Sequence, residues 1–458
     1  MRSSRNSLGF LVVVFLTAPG LAADRPPNVI VFLADDLGYG DVGCNGCPDI
    51  RTPHIDALAR KGLRFTNYHA ASPICAPSRA AMLTGRCPPR IGMSSQVNIA
   101  SGLEVEGIPG SEVTFAELAQ SKGYATAVFG KWHLGSTPAT APNAQGFDEF
   151  FGFHASCVDP FSHLYYASEP WYHDLFHNRT EVWEDGVHMT DLITREALKF
   201  IEANAERPFL IYAAYNVPHY PMAAHAKYMA MYAGLPPARR VYAAMVAGMD
   251  DSIGRIMAAL QARGLAEKTF VFFGSDNGAP HTTRRGEGGG SNAPFREHKR
   301  SLFDGGMHCP GIISWPGRVA ENETRDQLTI GMDVFATIAE VIGAEPPPGV
   351  VIDGRSWAPL FRDAKAPGHE RLFFEWANQH AVREGCWKLV ENGLINMTAE
   401  NRNNRAQGPD AVFLSNVEAD PQERVNLAAR HPDVVKRLSA AHKEWLAGFP
   451  AKKQESEK

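Results

Sequence analysis

The stretch with the most distinctive chemistry is Cys75-Ala76-Pro77-Ser78-Arg79, in which a cysteine is followed closely by a proline and an arginine. Residues 78–83 predict a short helix, with Ser78 as its cap and Gly85 as its stop. Cys75 is then expected just ahead of a helix N-terminus, where free N–H groups and the helix dipole favour developing negative charge. A buried thiol or half of a disulfide is the alternative interpretation.

Two short acidic segments, Asp35-Asp36 and Asp276-Asn277, offer only oxygen ligands. Such ligands suit a hard divalent cation, with Ca²⁺ expected and Mg²⁺ as the second choice. Adjacent carboxylates also repel each other unless a cation lies between them. Each segment taken alone favours a turn over a metal site, since Asp and Asn are common in turns. Their occurrence together with the cysteine stretch favours the metal site.

Both acidic segments follow apolar runs that are typical of strands buried on both faces. Similar runs lead to Lys131 and His133, and to His219. The four runs are residues 28–34, 125–129, 209–214 and 269–273. Helical patterns separate them, so the predicted fold is α/β, with a large, mostly parallel sheet between layers of helices. Ligands of such sheets bind at the carboxyl ends of the strands, which places all these side chains in one site.

Predicted helices cover residues 52–62, 114–121, 191–204, 241–263 and 333–342. Beyond about residue 365 the pattern changes to four short strands (371–376, 379–383, 387–391 and 411–415) and a closing amphipathic helix (434–446). This pattern predicts a smaller C-terminal α+β subdomain with a short antiparallel sheet. The predicted organisation is therefore a signal peptide (1–23), a catalytic domain (24–365) and the C-terminal subdomain (366–458).

Residues 1–23 have the three parts of a secretory signal. Arg2 and Arg5 give a basic start, residues 8–17 an apolar core, and residues 20–23 a small-residue exit. The apolar core is too short to cross a membrane, and no later segment approaches that length. We therefore expect export to the periplasm or the extracellular space, without a membrane span.

The chain of 458 residues has a formal charge of −5 and no basic run of the kind that binds nucleic acid. An anionic substrate must therefore be held by a local basic pocket. There are seven cysteines. If Cys75 is chemically consumed, six remain, and an oxidising compartment would allow up to three disulfides, whose pairing the sequence leaves open.

Taken together, these motifs resemble the sulfatase family, whose members share C-x-P-S-R followed by a short helix and T-G-R. The similarity runs in the family's order from about residue 28 to 361, and it includes Asp420-Pro421 and Glu423 in the tail. Besides Cys75 to Arg86, the segments that carry it are Asp35-Asp36-Leu37-Gly38-Tyr39-Gly40-Asp41, Gly130-Lys131-Trp132-His133-Leu134-Gly135, Ser275-Asp276-Asn277-Gly278 and Lys299-Arg300-Ser301-Leu302-Phe303-Asp304-Gly305-Gly306. His308 is a departure, because relatives often have an arginine there.

The resemblance implies that a maturation enzyme, an expected partner, oxidises Cys75 to formylglycine, whose hydrated aldehyde is the nucleophile. Asp35, Asp36, Asp276 and Asn277 would hold the cation together with residue 75, and the cation would lower the pKa of the nucleophile. One hydroxyl would attack sulfur, and the second would later expel sulfate by restoring the aldehyde. A thiol has no such internal route for release.

The same resemblance assigns roles to the other polar residues of the site. Arg79 would hold the nucleophile and the charge of the metal site. Lys131 and Lys299 would bind the sulfate oxygens as these gain charge. His133 would be the base of the elimination step, and His219 would be the acid that protonates the leaving oxygen.

The sequence indicates the substrate less clearly than it indicates the reaction. Residues 157–163 and the segment with His281, Arg284 and Arg285 could border a sugar, or they could be solvated loops. Trp171, Tyr172 and Trp183 could stack on a sugar ring or pack in the core. Residues 279–296 are typical of a mobile loop over the site. Arg296 and Arg300 lie close enough to Lys299 in the sequence to be alternatives for its role.

The favoured function is hydrolysis of sulfate esters, most naturally on carbohydrates. A phosphate or phosphonate monoester hydrolase of the same superfamily is the alternative, and it would need a more positive site or a second metal. A non-catalytic glycan-binding protein, with Cys75 never oxidised, is a third hypothesis. It has no support in the sequence, because every expected catalytic position is filled.

Overall fold

The structure is a computed structural model that describes residues 25–98, 104–167, 169, 171–281, 288–396, 401 and 403–449. The predicted signal peptide, as well as Arg284 and Arg285, lies outside these residues. In the described part of the chain, no helix combines the length and the apolar character that crossing a membrane requires.

The strands, in chain order, are β1 (Asn28–Asp35), β2 (Gly62–Phe65), β3 (Tyr68–His69), β4 (Ala125–Lys131), β5 (Glu149–Phe153), β6 (Leu164–Tyr165), β7 (Tyr172–His173), β8 (Phe176–His177), β9 (Thr180–Glu181), β10 (Phe209–Pro218), β11 (Thr269–Ser275), β12 (Gly311–Ser314), β13 (Glu323–Arg325), β14 (Thr329–Ile330), β15 (Arg371–Trp376), β16 (Gln379–Glu384), β17 (Trp387–Glu391) and β18 (Val412–Asn416). The helices are α1 (Pro53–Arg60), α2 (Cys75–Thr84), α3 (Phe115–Ser121), α4 (Met189–Ala203), α5 (Ala226–Met231), α6 (Pro237–Ala262), α7 (Asp304–Met307), α8 (Asp333–Val341) and α9 (Pro432–Ala447).

A ten-stranded sheet forms the centre of the molecule, in the order β13-β2-β12-β11-β1-β10-β4-β5-β8-β9. Its five middle strands, β11 to β5 in that order, are parallel to one another. The strands that flank them, β12 and β8, are antiparallel to their inner neighbours, so the sheet as a whole is mixed. The predicted parallel sheet is confirmed for the strands that carry the proposed site.

Strand β1 shows why the middle of the sheet is so apolar, because all eight of its residues are buried. Val29, Val31 and Leu33 belong to the core on one face, and Ile30, Phe32 and Ala34 belong to the core on the other. Burying a side chain of this size stabilises the fold by about 1.5–3 kcal/mol relative to leaving it exposed. A strand that is buried on both faces therefore needs a continuous run of apolar residues.

Helices cover both faces of the sheet, as predicted. The core on the face of Val29 includes residues from α2, α3 and α8, whereas the opposite core includes residues from α1, α4, α5 and α6. Near the C-terminus, β15 to β18 form a separate antiparallel sheet in sequence order, against which α9 packs. This α+β arrangement is confirmed, while the boundary at residue 365 stays a prediction.

The structure corrects the predicted start of the helix that follows Cys75. Cys75 is the first residue of α2, and Ile74 occupies the N-cap position. Ser78 does not cap the helix, because its hydroxyl instead donates to the Ser72 carbonyl at 2.8 Å. The predicted stop is confirmed, since Gly85 has a φ of 69° and its N–H bonds to the Ala81 carbonyl.

The possible disulfides do not form in this structure. All seven cysteines lie in the described part of the chain, and each is a free thiol. Cys75, Cys87, Cys157 and Cys309 are buried, so packing rather than cross-linking explains their positions.

Candidate functional site

The predicted site lies at the carboxyl edge of the parallel strands. Asp35 ends β1 and Lys131 ends β4, while His219 and Asp276 directly follow β10 and β11. Parallel pairing of these four strands brings their ends to the same edge of the sheet. The N-terminus of α2 brings Cys75 to the same place, where its Sγ lies 3.5 Å from Asp35 Oδ1.

Three carboxylates and one amide form an oxygen-rich cluster beside Cys75. The Asp36 N–H donates to Asp276 Oδ1 at 3.2 Å, and Asn277 Nδ2 donates to Asp36 Oδ1 at 2.6 Å. Asn277 Oδ1 is buried and accepts no hydrogen bond from the described residues. One ligand atom each of Asp35, Asp36, Cys75 and His219 lies within 4.8 Å of the others.

This donor set fits a hard divalent cation. Carboxylate and amide oxygens are the ligands that Ca²⁺ and Mg²⁺ prefer. An unpaired buried carbonyl oxygen costs about 1–3 kcal/mol, so the unused Asn277 Oδ1 is a further sign that a ligand belongs there. Asp35, Asp36, Asp276 and Asn277 are thus brought together as predicted.

Three cationic side chains line the same cluster. Lys131 Nζ lies 2.7 Å from Asp35 Oδ2, and the Arg79 guanidinium contacts Asp276 Oδ2 through Nε at 2.9 Å and Nη2 at 2.8 Å. Lys299 Nζ lies 2.6 Å from Asp36 Oδ1 and 3.2 Å from the Cys75 Sγ. Lys299 therefore occupies the predicted position directly beside residue 75.

The carboxylates respond differently to these cations. Burial acts to raise the pKa of Asp35, but Lys131 and Arg79 hold that pKa well below its usual range. Burial raises the pKa of Asp276 to about 6 even though Arg79 opposes the shift. For Lys299, burial is outweighed by Asp36, which keeps the pKa of the ammonium above its usual value. The site is thus a network of charges rather than a set of independent groups.

Cys75 itself is poorly suited to act as a thiolate. Burial and the nearby Asp276 raise the pKa of its thiol to about 12, although Lys131 and Lys299 act in the opposite direction. A cysteine nucleophile requires the thiolate, which reactive cysteines favour through a lowered pKa. The unmodified side chain at position 75 is therefore a weak nucleophile near neutral pH.

The two predicted catalytic histidines are both buried. His219 Nε2 lies 3.6 Å from Asp36 Oδ2, and its Nδ1 lies 2.5 Å from the Tyr220 carbonyl oxygen. His133 Nε2 lies 3.1 Å from the Val97 carbonyl oxygen. Burial lowers the pKa of His219 to about 4, and burial together with Lys131 lowers the pKa of His133 well below its usual value. Both rings are neutral at pH 7 in this state.

Two residues of the site carry no recognisable signal in the sequence. The Tyr212 hydroxyl accepts a hydrogen bond from Arg79 Nη1 at 3.3 Å, although Tyr212 lies inside the apolar run of β10. Gln96 Oε1 accepts from the Ala76 N–H at 3.2 Å and so satisfies one of the free donors at the start of α2. Neither residue lies in a motif, and only the folded chain brings them here.

The residues predicted to border a sugar have more varied surroundings. Trp171 and Trp183 are exposed by 65% and 64%. His281 packs edge-on against His298 at 5.1 Å between ring centroids. His308, the departure from the family pattern, stacks on Phe295 at 3.8 Å and lies 3.5 Å from an Asp304 oxygen.

Comparison with known protein families gives two matches. The model described as Sulfatase matches residues 27–344. The model described as N-sulphoglucosamine sulphohydrolase, C-terminal, matches residues 296–444. Together they span the sheet, the site and most of the C-terminal subdomain.

Individual relatives agree with these matches. N-acetylgalactosamine-6-sulfatase of Mus musculus is 36% identical over 394 residues, which is 82% of this chain and 75% of the relative. Arylsulfatase A of Homo sapiens is 33% identical over 456 residues, which is 92% of this chain and 88% of the relative. The crystal structure of Ps i-CgsB has a TM-score of 0.83 and 29% identity and covers 94% of each chain, and Ps i-CgsB was also solved in complex with k-i-k-neocarrahexaose.

Proposed function

Because the chain belongs to the sulfatase family and is thus a sulfuric ester hydrolase, we propose that it removes sulfate from carbohydrates by means of a formylglycine at position 75. The observation that carries the proposal is the position of residue 75, between Lys299 Nζ at 3.2 Å and Asp35 Oδ1 at 3.5 Å. The carbohydrate class is supported by the names of the relatives, which include an N-acetylgalactosamine sulfatase and a protein solved with a neocarrahexaose.

In this proposal Asp35, Asp36, Asp276 and Asn277 hold a Ca²⁺ ion, with Mg²⁺ as the weaker candidate. When bound, the cation polarises a sulfate oxygen and lowers the pKa of the attacking hydroxyl. The unused Asn277 oxygen, the clustered carboxylates of Asp35 and Asp36, and the contact of Asp276 with the Asp36 N–H support this assignment.

The modified residue 75 supplies a hydroxyl that attacks sulfur and a second hydroxyl whose deprotonation later releases sulfate. The buried thiol, with its pKa of about 12, supports the need for such a change of chemistry. A formylglycine-generating enzyme is the partner that would carry out the oxidation.

The remaining residues bind charge and move protons. Arg79, Lys131 and Lys299 face the position where the sulfate oxygens gain charge, and they stabilise that charge in a site with little water. His133 accepts the proton in the release step, for which its neutral ring is suited. His219 donates a proton to the leaving oxygen after it becomes protonated beside the incoming anion.

The experiment that tests the function uses protein matured in a host that makes formylglycine. Sulfate release is measured from a panel of defined sulfated saccharides, and the peptide with residue 75 is analysed by mass. We expect turnover only in preparations that contain formylglycine, and Cys75→Ala should remove it. A persistent free thiol in a fully active protein would contradict the proposed nucleophile.

The phosphate alternative is tested with the same protein. Sulfate and phosphate monoesters of one alcohol are compared by their values of kcat/KM. Preference for the sulfate ester supports the proposal, while preference for the phosphate ester would move the function to the second candidate. No specific contact in the described residues favours phosphate.

We further propose export with cleavage of residues 1–23, and a catalytic domain that ends near residue 365. The N-terminal sequence of the protein recovered outside the cytoplasm tests the first proposal, with Asp24 expected as the first residue. Limited proteolysis tests the second, with cuts expected near residue 365.

A further inference from the structure

A second cluster of possible metal ligands lies in the β6–β9 region and shares no residue with the proposed catalytic site. His163 directly precedes β6, His173 ends β7, and Asp185 follows β9. One ligand atom from each of these residues lies within 4.8 Å of the other two. His163 is fully buried and His173 is 9% exposed, whereas Asp185 faces solvent. Two buried imidazole rings thus lie beside a carboxylate that is exposed to solvent.

The hydrogen bond of His163 fixes which of its nitrogens is free. Nε2 lies 3.2 Å from the Val187 carbonyl oxygen, so it must carry the proton of that bond. Nδ1 therefore presents its lone pair in the neutral ring. This Nδ1 is buried, and no described residue forms a hydrogen bond with it. The backbone of His163 has a φ of 56°, an uncommon conformation for a residue other than glycine.

His173 has a complementary arrangement. Its Nδ1 lies 2.9 Å from Glu181 Oε1, so the carboxylate holds the proton on Nδ1. Its Nε2 is also buried and has no hydrogen-bond partner in the described parts of the chain. Trp183 stacks on the ring at 3.8 Å between centroids, with 8° between the planes, and so fixes its orientation. Protein histidines that bind metals commonly donate the other ring N–H to a carboxylate or a carbonyl.

His163 Nδ1 and His173 Nε2 destabilise the folded protein unless a ligand binds them. An unsatisfied buried polar atom costs about 1–3 kcal/mol. The surrounding charge is negative, since Asp185 lies in the cluster and the Glu181 carboxylate contacts His173. A cation would satisfy both lone pairs and offset these carboxylates.

We propose that His163, His173 and Asp185 bind a divalent transition-metal ion, with Zn²⁺ preferred, and that Glu181 positions His173 for this role. Two neutral imidazoles and one carboxylate suit Zn²⁺, in contrast to the oxygen ligands of the proposed Ca²⁺ site. The exposed side of Asp185 leaves room for water as a further ligand. The ion would connect β6 and β7 to the turn after β9, and it would hold the exposed Trp183 indole in place.

The test measures Zn²⁺ bound to the full mature protein by equilibrium dialysis with excess Ca²⁺ present, which occupies the oxygen-only site. We expect the wild type to bind one equivalent of Zn²⁺ that both His163→Gln and His173→Gln lose. Co²⁺ in place of Zn²⁺ should give visible absorption bands of nitrogen ligation in the wild type alone. Glu181→Gln should retain binding with an affinity reduced about 10- to 100-fold.

His177→Gln is the matched control, because His177 lies in the same region on β8 and has an exposed side chain outside the cluster. It should bind Zn²⁺ as the wild type does. Far-UV circular dichroism establishes that each variant is folded. Equal zinc stoichiometry in the wild type and in both folded histidine variants would overturn the proposal. Absence of bound Zn²⁺ in the folded wild type would also overturn it, and would assign the two nitrogens to ordered water.

Discussion

In the proposed catalytic site, the charge state of each side chain depends on its neighbours more than on its own chemistry. Asp35 and Asp276 are both buried aspartates, yet their pKa values shift in opposite directions. The difference follows from their neighbours. Lys131 heads the cations that lower the pKa of Asp35, whereas burial of Asp276, together with the nearby carboxylates of Asp35 and Asp36, outweighs the effect of Arg79. A change at any one of these groups is therefore expected to alter the charge state of the others.

The proposed acid role of His219 predicts a dependence on the leaving group. His219→Ala should lower kcat/KM for a sugar sulfate about 10²- to 10⁴-fold, because an alkoxide leaves poorly without a proton. The phenoxide that leaves from an aryl sulfate with an acidic phenol needs no proton. The decrease in kcat/KM for that substrate should therefore be much smaller. Steady-state kinetics on both substrates provide the comparison. Equal losses on the two substrates would argue against the acid role.

The oxygen cluster predicts reversible inactivation by chelation. Removal of the cation should abolish sulfate release, since no metal ion then polarises the sulfate oxygen, and Arg79, Lys131 and Lys299 remain paired with the carboxylates. Ca²⁺ should restore activity at lower concentration than Mg²⁺. The bound cation should also raise the free energy of unfolding, by about 2.7 kcal/mol when the free cation concentration is 100 times its Kd.

Asp36→Asn serves as the control for this experiment. It should need more Ca²⁺ for the same activity and show a smaller thermal shift. Unchanged activity after exhaustive chelation would exclude this role for the cluster.

Among the elements, helix α4 shows how a cap can make stability depend on pH. His188 is the N-cap of α4, and its Nδ1 accepts a hydrogen bond from the Thr190 N–H at 3.1 Å. Burial lowers the pKa of His188 to about 4. The unfolded chain takes up this proton near pH 6.5, whereas the folded chain does so only near pH 4. The contribution of His188 is therefore complete above pH 6.5 and is lost as the pH falls towards 4.

This linkage predicts the behaviour of His188→Asn. Between pH 7.5 and 5, the wild type should lose about 2 kcal/mol of unfolding free energy through this group. Asn can still cap the helix but does not titrate, so the variant should lose correspondingly less. Denaturant unfolding at both pH values measures the difference. An identical loss in both proteins would show that His188 does not titrate as described.

The elements with strong local patterns are those that the sequence predicts well. The apolar runs of β1, β4, β10 and β11 and the capping box at Thr114 and Glu117 before α3 are local features. By contrast, β12 and β13 are short strands of three or four residues, and their pairing depends on partners distant in the chain. The start of α2 at Cys75 was also missed, because Pro77 is tolerated within a first turn and so does not delay the helix.

At the scale of the whole molecule, a buried lysine connects the C-terminal sheet to helix α7. Lys388 in β17 lies 2.5 Å from Asp304 Oδ1 in α7 and 3.3 Å from Glu423 Oε1 in the tail. Glu423 in turn accepts a hydrogen bond from the Asp304 N–H at 2.7 Å. Leu302 belongs to the same hydrophobic cluster as residues of β15, so apolar contacts surround this connection.

Lys388→Met should lower the unfolding free energy by about 3–5 kcal/mol, because it leaves two buried carboxyl groups without their cation. Urea unfolding measures the change. Lys443→Met, an exposed position on α9, is the matched control and should stay within about 0.5 kcal/mol of the wild type. A loss below 1 kcal/mol in Lys388→Met would show that His69 and His308 compensate for the missing ammonium.

The two candidate metal sites differ in how far the sequence reveals them. The ligands proposed for Ca²⁺ follow buried strands, so the rule for parallel sheets predicts that they meet. His163, His173 and Asp185 lie on short strands and turns with no regular period, and their meeting depends on the β6–β7 pairing. Tyr212 and Gln96 show the same limit, because their roles arise only from contacts across the fold.

The burial of Cys75 also constrains the order of events in the life of the protein. The side chain is 1% exposed, and all ten residues of α2 are buried. Another enzyme cannot enclose a side chain in that position, so the proposed oxidation must be complete before α2 packs against the sheet. Maturation then competes in time with folding. Slower folding of this region should increase the matured fraction, and faster folding should leave more molecules with an unconverted cysteine.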